Sequence, residues 1–189
     1  EDVIKRLKEL DAVLDVIVFR EVGELVTDRL PFSSIFVGER QMLFRVETFG
    51  EAFSRLFKLF RSGAIPIIYN MGLESGEQSV KRMETECSFK GLKALNIILK
   101  EKTIKNWGRM EIEVFNRKRY EAIIKVYDLF ECLPFKGKLM VPRSHFFRGY
   151  LAGVFKNLFE ANYTVKEIAC IAKGDPYCRF IVARKEREF

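Results

Sequence analysis

Met110-Glu-Ile-Glu-Val-Phe-Asn-Arg-Lys-Arg-Tyr-Glu-Ala-Ile-Ile-Lys-Val126 is the stretch where the chain changes period. Met110, Ile112 and Val114 alternate with polar residues, and after Asn116-Arg-Lys-Arg119 the alternation resumes at Tyr120, Ala122, Ile124 and Val126. Strand side chains point to opposite faces in turn, so this spacing predicts a β-hairpin with one buried face.

Upstream, the apolar residues recur mainly at helical spacing. Phe36 to Val46 reads as one or two strands. Thr48-Phe-Gly-Glu51 then predicts a capping box. The helix after it would place Phe49, Ala52, Phe53, Leu56, Phe57 and Phe60 on one face and stop at Gly63. Pro66 suits the first turn of a second helix, lined by Ile67, Ile68, Met71 and Val80. Gly72 and Gly76 lie four residues apart on it, which lets another backbone come close. A third helix from Ser88 would bury Phe89, Leu92, Leu95, Ile98 and Leu99.

Downstream of the hairpin, residues 132–143 hold Pro134, Gly137 and Pro142 and read as a loop. Ser144 to Ala161 predicts a helix with a wide stripe of Phe147, Tyr150, Leu151, Val154, Phe155, Leu158 and Phe159, edged by Gly149 and Gly153. Residues 163–183 form a last hairpin, turning at Lys173-Gly-Asp-Pro176. Helices gather in the first half and strands in the second, so the fold class is α+β, with helices packed on an antiparallel sheet. Residues 1–30 predict a helical N-terminal arm, a candidate dimerisation element, and residues 31–189 a single domain.

The charge balance is +7, but 26 acids are interspersed among 33 bases, which describes a mixed surface rather than a basic stripe. No nucleic-acid partner is expected. No apolar run approaches the roughly 20 residues of a membrane span. Four cysteines without a dense framework suit a reducing cytoplasm. Eighteen phenylalanines against one tryptophan fit either a tightly packed core or an apolar pocket.

The chemical signal lies in the last hairpin, in Glu167-Ile-Ala-Cys170 and Gly174-Asp-Pro-Tyr-Cys178-Arg-Phe180. Two cysteines on facing strands, with a carboxylate nearby, suit a divalent metal and zinc first of all. The alternative is two buried thiols packing as small hydrophobes. Glu167 lies an odd number of residues from Cys170, so an ideal strand would point them to opposite faces. A shared metal therefore requires a bulge, or the end of the strand, between them.

Ser144-His-Phe-Phe-Arg-Gly149-Tyr-Leu-Ala-Gly153, Glu167-x-x-Cys170 and Gly174-Asp-Pro-Tyr-Cys178-Arg-Phe180 together resemble the 4-vinyl reductase domain family. The aromatic-sensing domains of phenol- and xylene-responsive activators are similar. The likeness is specific over residues 144–180 and diffuse over residues 35–143. It implies the fold of nitric oxide sensors and vesicle-tethering subunits, built around a hydrophobic ligand cavity. Carried over by motif, it implies zinc ligands at Glu167, Cys170 and Cys178. The sensors have a further cysteine ligand where this chain has Ser144, which leaves Cys132 or His145 to complete the set. Cys87 reads as structural.

The expected function is a zinc-containing module that binds a hydrophobic or aromatic small molecule, the metal structural and the module homodimeric. Candidate cavity-wall residues are Phe53, Phe57, Phe147 and Phe155. No catalytic residues are assigned: no G-x-G-x-x-G fingerprint follows a strand, and no paired-carboxylate or Ser–His–acid arrangement is visible. The alternatives are a reductase, or reductase accessory, acting on a tetrapyrrole vinyl group, and an assembly protein of the tethering kind.

Overall fold

The structure is a computed structural model. It describes Arg6, Glu9 and residues 34–36, 39–41, 44–86 and 89–185. The chain divides into two compact units, residues 1–43 and 44–189. In the first, β1 (Ser34–Phe36) and β2 (Glu39–Gln41) pair antiparallel. The arm expected over residues 1–30 lies outside the described residues except at Arg6 and Glu9, as do Cys87 and Ser88.

In the second unit the helices are α1 (Val46–Phe60), α2 (Ala64–Glu86), α3 (Gly91–Ile104) and α4 (His145–Phe159). The strands are β3 (Arg109–Asn116), β4 (Glu121–Tyr127), β5 (Tyr163–Ala169) and β6 (Cys178–Arg184). They form one antiparallel sheet in the order β3-β4-β6-β5. No helix among the described residues is long and apolar enough to cross a membrane.

The expected hairpin forms as read, its turn held by Asn116 Oδ1, which accepts from the N–H groups of Lys118 and Arg119. Its register slips between Ile112 and Val114, which turns Val114 outward and Phe115 toward the core. Simple alternation had placed Val114 inside; the bulge reverses the facing of the residues after it.

Several expected boundaries need correction. No capping box forms at Thr48, because the helix starts earlier, at Val46, with Arg45 as an N-cap that makes no side-chain bond. The extra turn packs Val46 against the core. Ala52 and Phe60, expected on the buried face of α1, are not buried there: Phe60 is exposed and Ala52 is also open to solvent. The helix ends at Phe60, where Arg61 takes a left-handed φ of 49°, and Gly63 ends a short 3₁₀ turn leading into α2. On α2, Ile67 and Met71 face outward while Ala64, Ile68, Gly72, Gly76 and Val80 are buried. The third helix starts at Gly91 rather than Ser88, and α4 ends at Phe159 rather than Ala161.

The centre of the fold is α4, which is buried on two sides. Its aromatic side meets the sheet, with Phe147 on Phe180 (ring centres 5.2 Å apart) and Phe155 on Tyr163 (5.3 Å). Its glycine side meets α2. A Cβ placed on Gly149 would lie 2.0 Å from Tyr69 O, and one on Gly72 1.9 Å from Phe146 O. Gly76 and Gly153 repeat the pattern one turn on, so the two helices run side by side in the same direction, backbone against backbone.

Candidate metal centre

Four segments converge at the N-terminal end of α4. Cys132 follows β4 and opens the 3₁₀ turn Leu133–Phe135. Ser144 is the N-cap of α4. Glu167 sits on the buried face of β5, and Cys170 follows that strand at the head of a second 3₁₀ turn. Cys178 opens β6. The β5–β6 register slips between Glu167 and Ala169, leaving Ile168 as the extra, partly exposed residue. This is the irregularity the odd spacing required, and it lets Glu167 and Cys170 face the same space.

Cys132, Glu167, Cys170 and Cys178 offer ligand atoms that all lie within 4.8 Å of one another. The three thiols are fully buried and Glu167 is 8% exposed. Cys132 Sγ stands 3.5 Å from Cys170 Sγ. The Ile171 N–H donates to Cys178 Sγ (3.4 Å), and the Cys170 N–H donates to Asp175 Oδ2 (2.8 Å), which shapes the turn. Backbone bonds from Gly137 N–H to Ile171 O and from Leu139 N–H to Ala172 O bind the Cys132 loop to the Cys170 turn.

Ser144 lies among the four. Its N–H donates to Glu167 Oε2 (3.1 Å) and its hydroxyl to Oε1 (2.6 Å). The same hydroxyl is 3.0 Å from Cys132 Sγ and 3.7 Å from Cys178 Sγ. Ser144 thus orients the carboxylate instead of capping its own helix.

The cap comes from Glu131, which no sequence motif singled out. Its carboxylate, 1% exposed, accepts from the N–H groups of Phe146 (2.8 Å) and Phe147 (2.9 Å). Phe146 lies 15 residues downstream, beyond the reach of any local capping pattern. The one available signal was an acid beside Cys132.

His145 does not join the thiols. Its Nδ1 accepts from Arg148 (2.8 Å), and its ring lies 5.6 Å from that of Phe57. Burial, with the charges of Arg148 and Arg143, holds its pKa down to about 4. The four Phe residues expected to wall a cavity fall into two groups. Phe147 and Phe155 pack on sheet residues, whereas Phe53 and Phe57 meet Phe146 and His145.

The electrostatics of the cluster fit a cation. Hydrogen bonds from Cys132 and Cys178 hold Cys170 below the usual thiol range, while its bond to Cys170 pushes Cys132 up. Burial, then the negative Cys170, pushes the Glu167 carboxyl up to about 8. Thiolate and carboxylate therefore oppose one another's ionisation, and a divalent ion among them reverses that. Three soft sulfurs and one oxygen form a donor set that suits zinc.

Residues 123–184 match the family model of the 4-vinyl reductase domain. The chain carries a 4-vinyl reductase domain. An uncharacterized protein of Methanocaldococcus jannaschii is 33% identical over 104 residues, 54% of this chain and 58% of that protein, so the match spans less than two thirds of that relative. A second from the same organism is 28% identical over 127 residues, 66% of this chain and 68% of that one. Among solved structures, the phenol-responsive sensory domain of the transcription activator PoxR aligns with a TM-score of 0.70 at 20% identity, covering 79% of each chain. A vinyl-4-reductase family protein from M. jannaschii aligns at 0.50 with 22% identity, covering 77% of this chain and 85% of that one. A trafficking protein particle complex subunit 3 from Naegleria fowleri aligns at 0.53 with 14% identity, covering 76% and 95%. At these identities the likeness establishes the fold. The family match covers the elements that bring the four donors together, from β4 to β6.

Proposed function

We propose that this 4-vinyl reductase domain binds an apolar or aromatic small molecule and that a structural zinc ion, held by Cys132, Glu167, Cys170 and Cys178, clamps its last hairpin to the start of α4. The buried group of three thiols and one carboxylate carries this reading. Four protein ligands fill a tetrahedral shell, whereas a catalytic zinc keeps one position open. When bound, zinc supplies cross-linking energy, and the protein's own residues do the positioning. Ser144 orients Glu167, Asp175 shapes the Cys170 turn, and Glu131 ties the Cys132 segment to α4.

The ligand-binding half is supported by the fold. The PoxR sensory domain is described with phenol and the trafficking subunit with covalently bound palmitic acid, so this architecture accommodates apolar guests in both. In this chain an aromatic group of Phe49, Phe53, Phe130, Phe146 and Trp107 joins α1 to the interior. A cytoplasmic setting and homodimerisation belong to the same proposal, and sedimentation of the purified protein tests the second. Native mass spectrometry of protein purified from its own host tests the ligand-binding half. The expected spectrum shows a bound apolar molecule. Bare protein, with no shift in melting temperature across a panel of aromatic and acyl compounds, would refute it.

A further inference from the structure

Away from the thiols, a second buried polar group sits where α2, α3 and α4 meet. Glu101 and Lys102, in the last turn of α3, are 6% and 5% exposed. Two adjacent charged residues would ordinarily face water, but Lys102 continues the stripe of Leu95, Ile98 and Leu99 into the interior. Glu101 Oε1 accepts from Arg82 and from Lys105 Nζ (2.6 Å). Those contacts occupy the carboxylate, whose other oxygen, Oε2, makes no hydrogen bond and stands 3.6 Å from Lys102 Nζ.

The Lys102 ammonium rests instead against two aromatic faces, 5.0 Å from the ring centre of Trp107 and 5.5 Å from that of Tyr150. Tyr150 Oη is buried and also lacks a partner, while nearby Ser79 donates its hydroxyl to Ser75 O (2.9 Å). Lys102 Nζ, Glu101 Oε2 and Tyr150 Oη are thus three polar ends held out of water without hydrogen bonds. Folded proteins seldom leave such groups unpaired without a bound partner to meet them. On the apolar side the cage continues as rings, Trp107 meeting Phe130 (5.3 Å) and Phe146 (5.7 Å), and Phe146 meeting Phe53 (6.4 Å). The interior therefore presents an aromatic wall with one buried cation at its end.

We propose that Lys102 anchors the head group of the ligand: the guest is an apolar acid whose carboxylate pairs with Lys102 Nζ while its body lies along Trp107, Phe130 and Phe146. This rests on the ligand-binding reading above and narrows it to one class of molecule. Arg82 and Lys105 already neutralise Glu101, which leaves the Lys102 charge for the guest. Burial is the main cause that holds the Lys102 ammonium down to about 8, so a paired carboxylate would restore it toward the usual lysine range.

The test uses the full chain and matched probes, phenylacetate against phenylacetamide and octanoate against octanamide. Binding is read by calorimetry and by emission of Trp107, the single tryptophan. In the wild type each acid should bind about tenfold or more tightly than its amide, as expected for a desolvated charge pair. Lys102→Met should bring the acid down to the amide's affinity and leave the amide unchanged, while Lys102→Arg should keep the preference. Should the Met variant fail to fold, the wild type decides alone, because its preference for the acid should fade between about pH 7 and pH 10 as Lys102 loses its proton. Equal affinity for acid and amide in the wild type overturns the anchor and leaves the ligand-binding reading standing. So does a preference that survives Lys102→Met. Binding of neither probe class overturns both.

Discussion

Gly149→Ala tests the packing that positions the metal centre. The added Cβ would lie 2.0 Å from Tyr69 O and 2.9 Å from Leu73 N, against an ordinary contact of at least 3.4 Å. Both obstacles are backbone atoms of α2, so no side chain can rotate away. The helices must part by about 1.4 Å along that line or the substituted backbone must shift. Alanine favours a helix over glycine by about 0.5–1 kcal/mol. Overpacking a close contact costs about 1–3 kcal/mol, and a rigid backbone-to-backbone contact belongs at the top of that range. The expected net loss is about 2 kcal/mol, or roughly 4–8 °C in melting temperature for a chain of this size. Gly63→Ala is the control, since its Cβ would meet only Phe60 Cβ at 3.8 Å. Thermal unfolding followed by circular dichroism reads both. A Gly149→Ala melting curve that overlays the Gly63→Ala curve would refute the close-packing argument.

Two further outcomes concern the groups around α4. Glu131→Gln keeps one acceptor for the Phe146 and Phe147 N–H groups and should cost about 1 kcal/mol, while Glu131→Ala leaves both unpaired and should cost about 2–4 kcal/mol; urea unfolding that shows the two equal would contradict the capping role. His145 is held neutral in the fold at pH values where the unfolded chain protonates it, between its unfolded pKa near 6.5 and its folded one of about 4. Stability should therefore fall as pH drops through that window. His145→Gln should fall less between about pH 7 and pH 5 in the same urea assay, and parallel losses in both proteins would contradict it.

Short-range periodicity made part of the fold legible in the sequence. The hairpin at residues 109–127, the α4 stripe and the last turn lie close to where alternation and turn residues put them. The glycine pairs on α2 and α4 announced a close backbone approach, and the odd Glu167–Cys170 spacing announced a bulge. What stayed hidden depends on partners far apart in the chain. Glu131 caps a helix that starts 14 residues later, and nothing local to either segment signals it. Val114 and Phe115 exchange faces because of a bulge set by the neighbouring strand. Lys102 reads as surface because it stands next to another charge on a helix, and only the tertiary packing buries it. Cys132 and His145 stood level as partners for the three donors; loop geometry brings Cys132 in, while Arg148 and Phe57 hold His145 away.

The central claim is most directly tested by crystals of the full chain, grown after zinc challenge in otherwise metal-free buffer, with diffraction collected on both sides of the zinc edge. The expected result is roughly one zinc ion per chain, with its anomalous peak enclosed by Cys132, Glu167, Cys170 and Cys178 and well separated from His145. No peak among those four residues, or a peak bound through His145 with Cys132 turned away, would contradict the assignment.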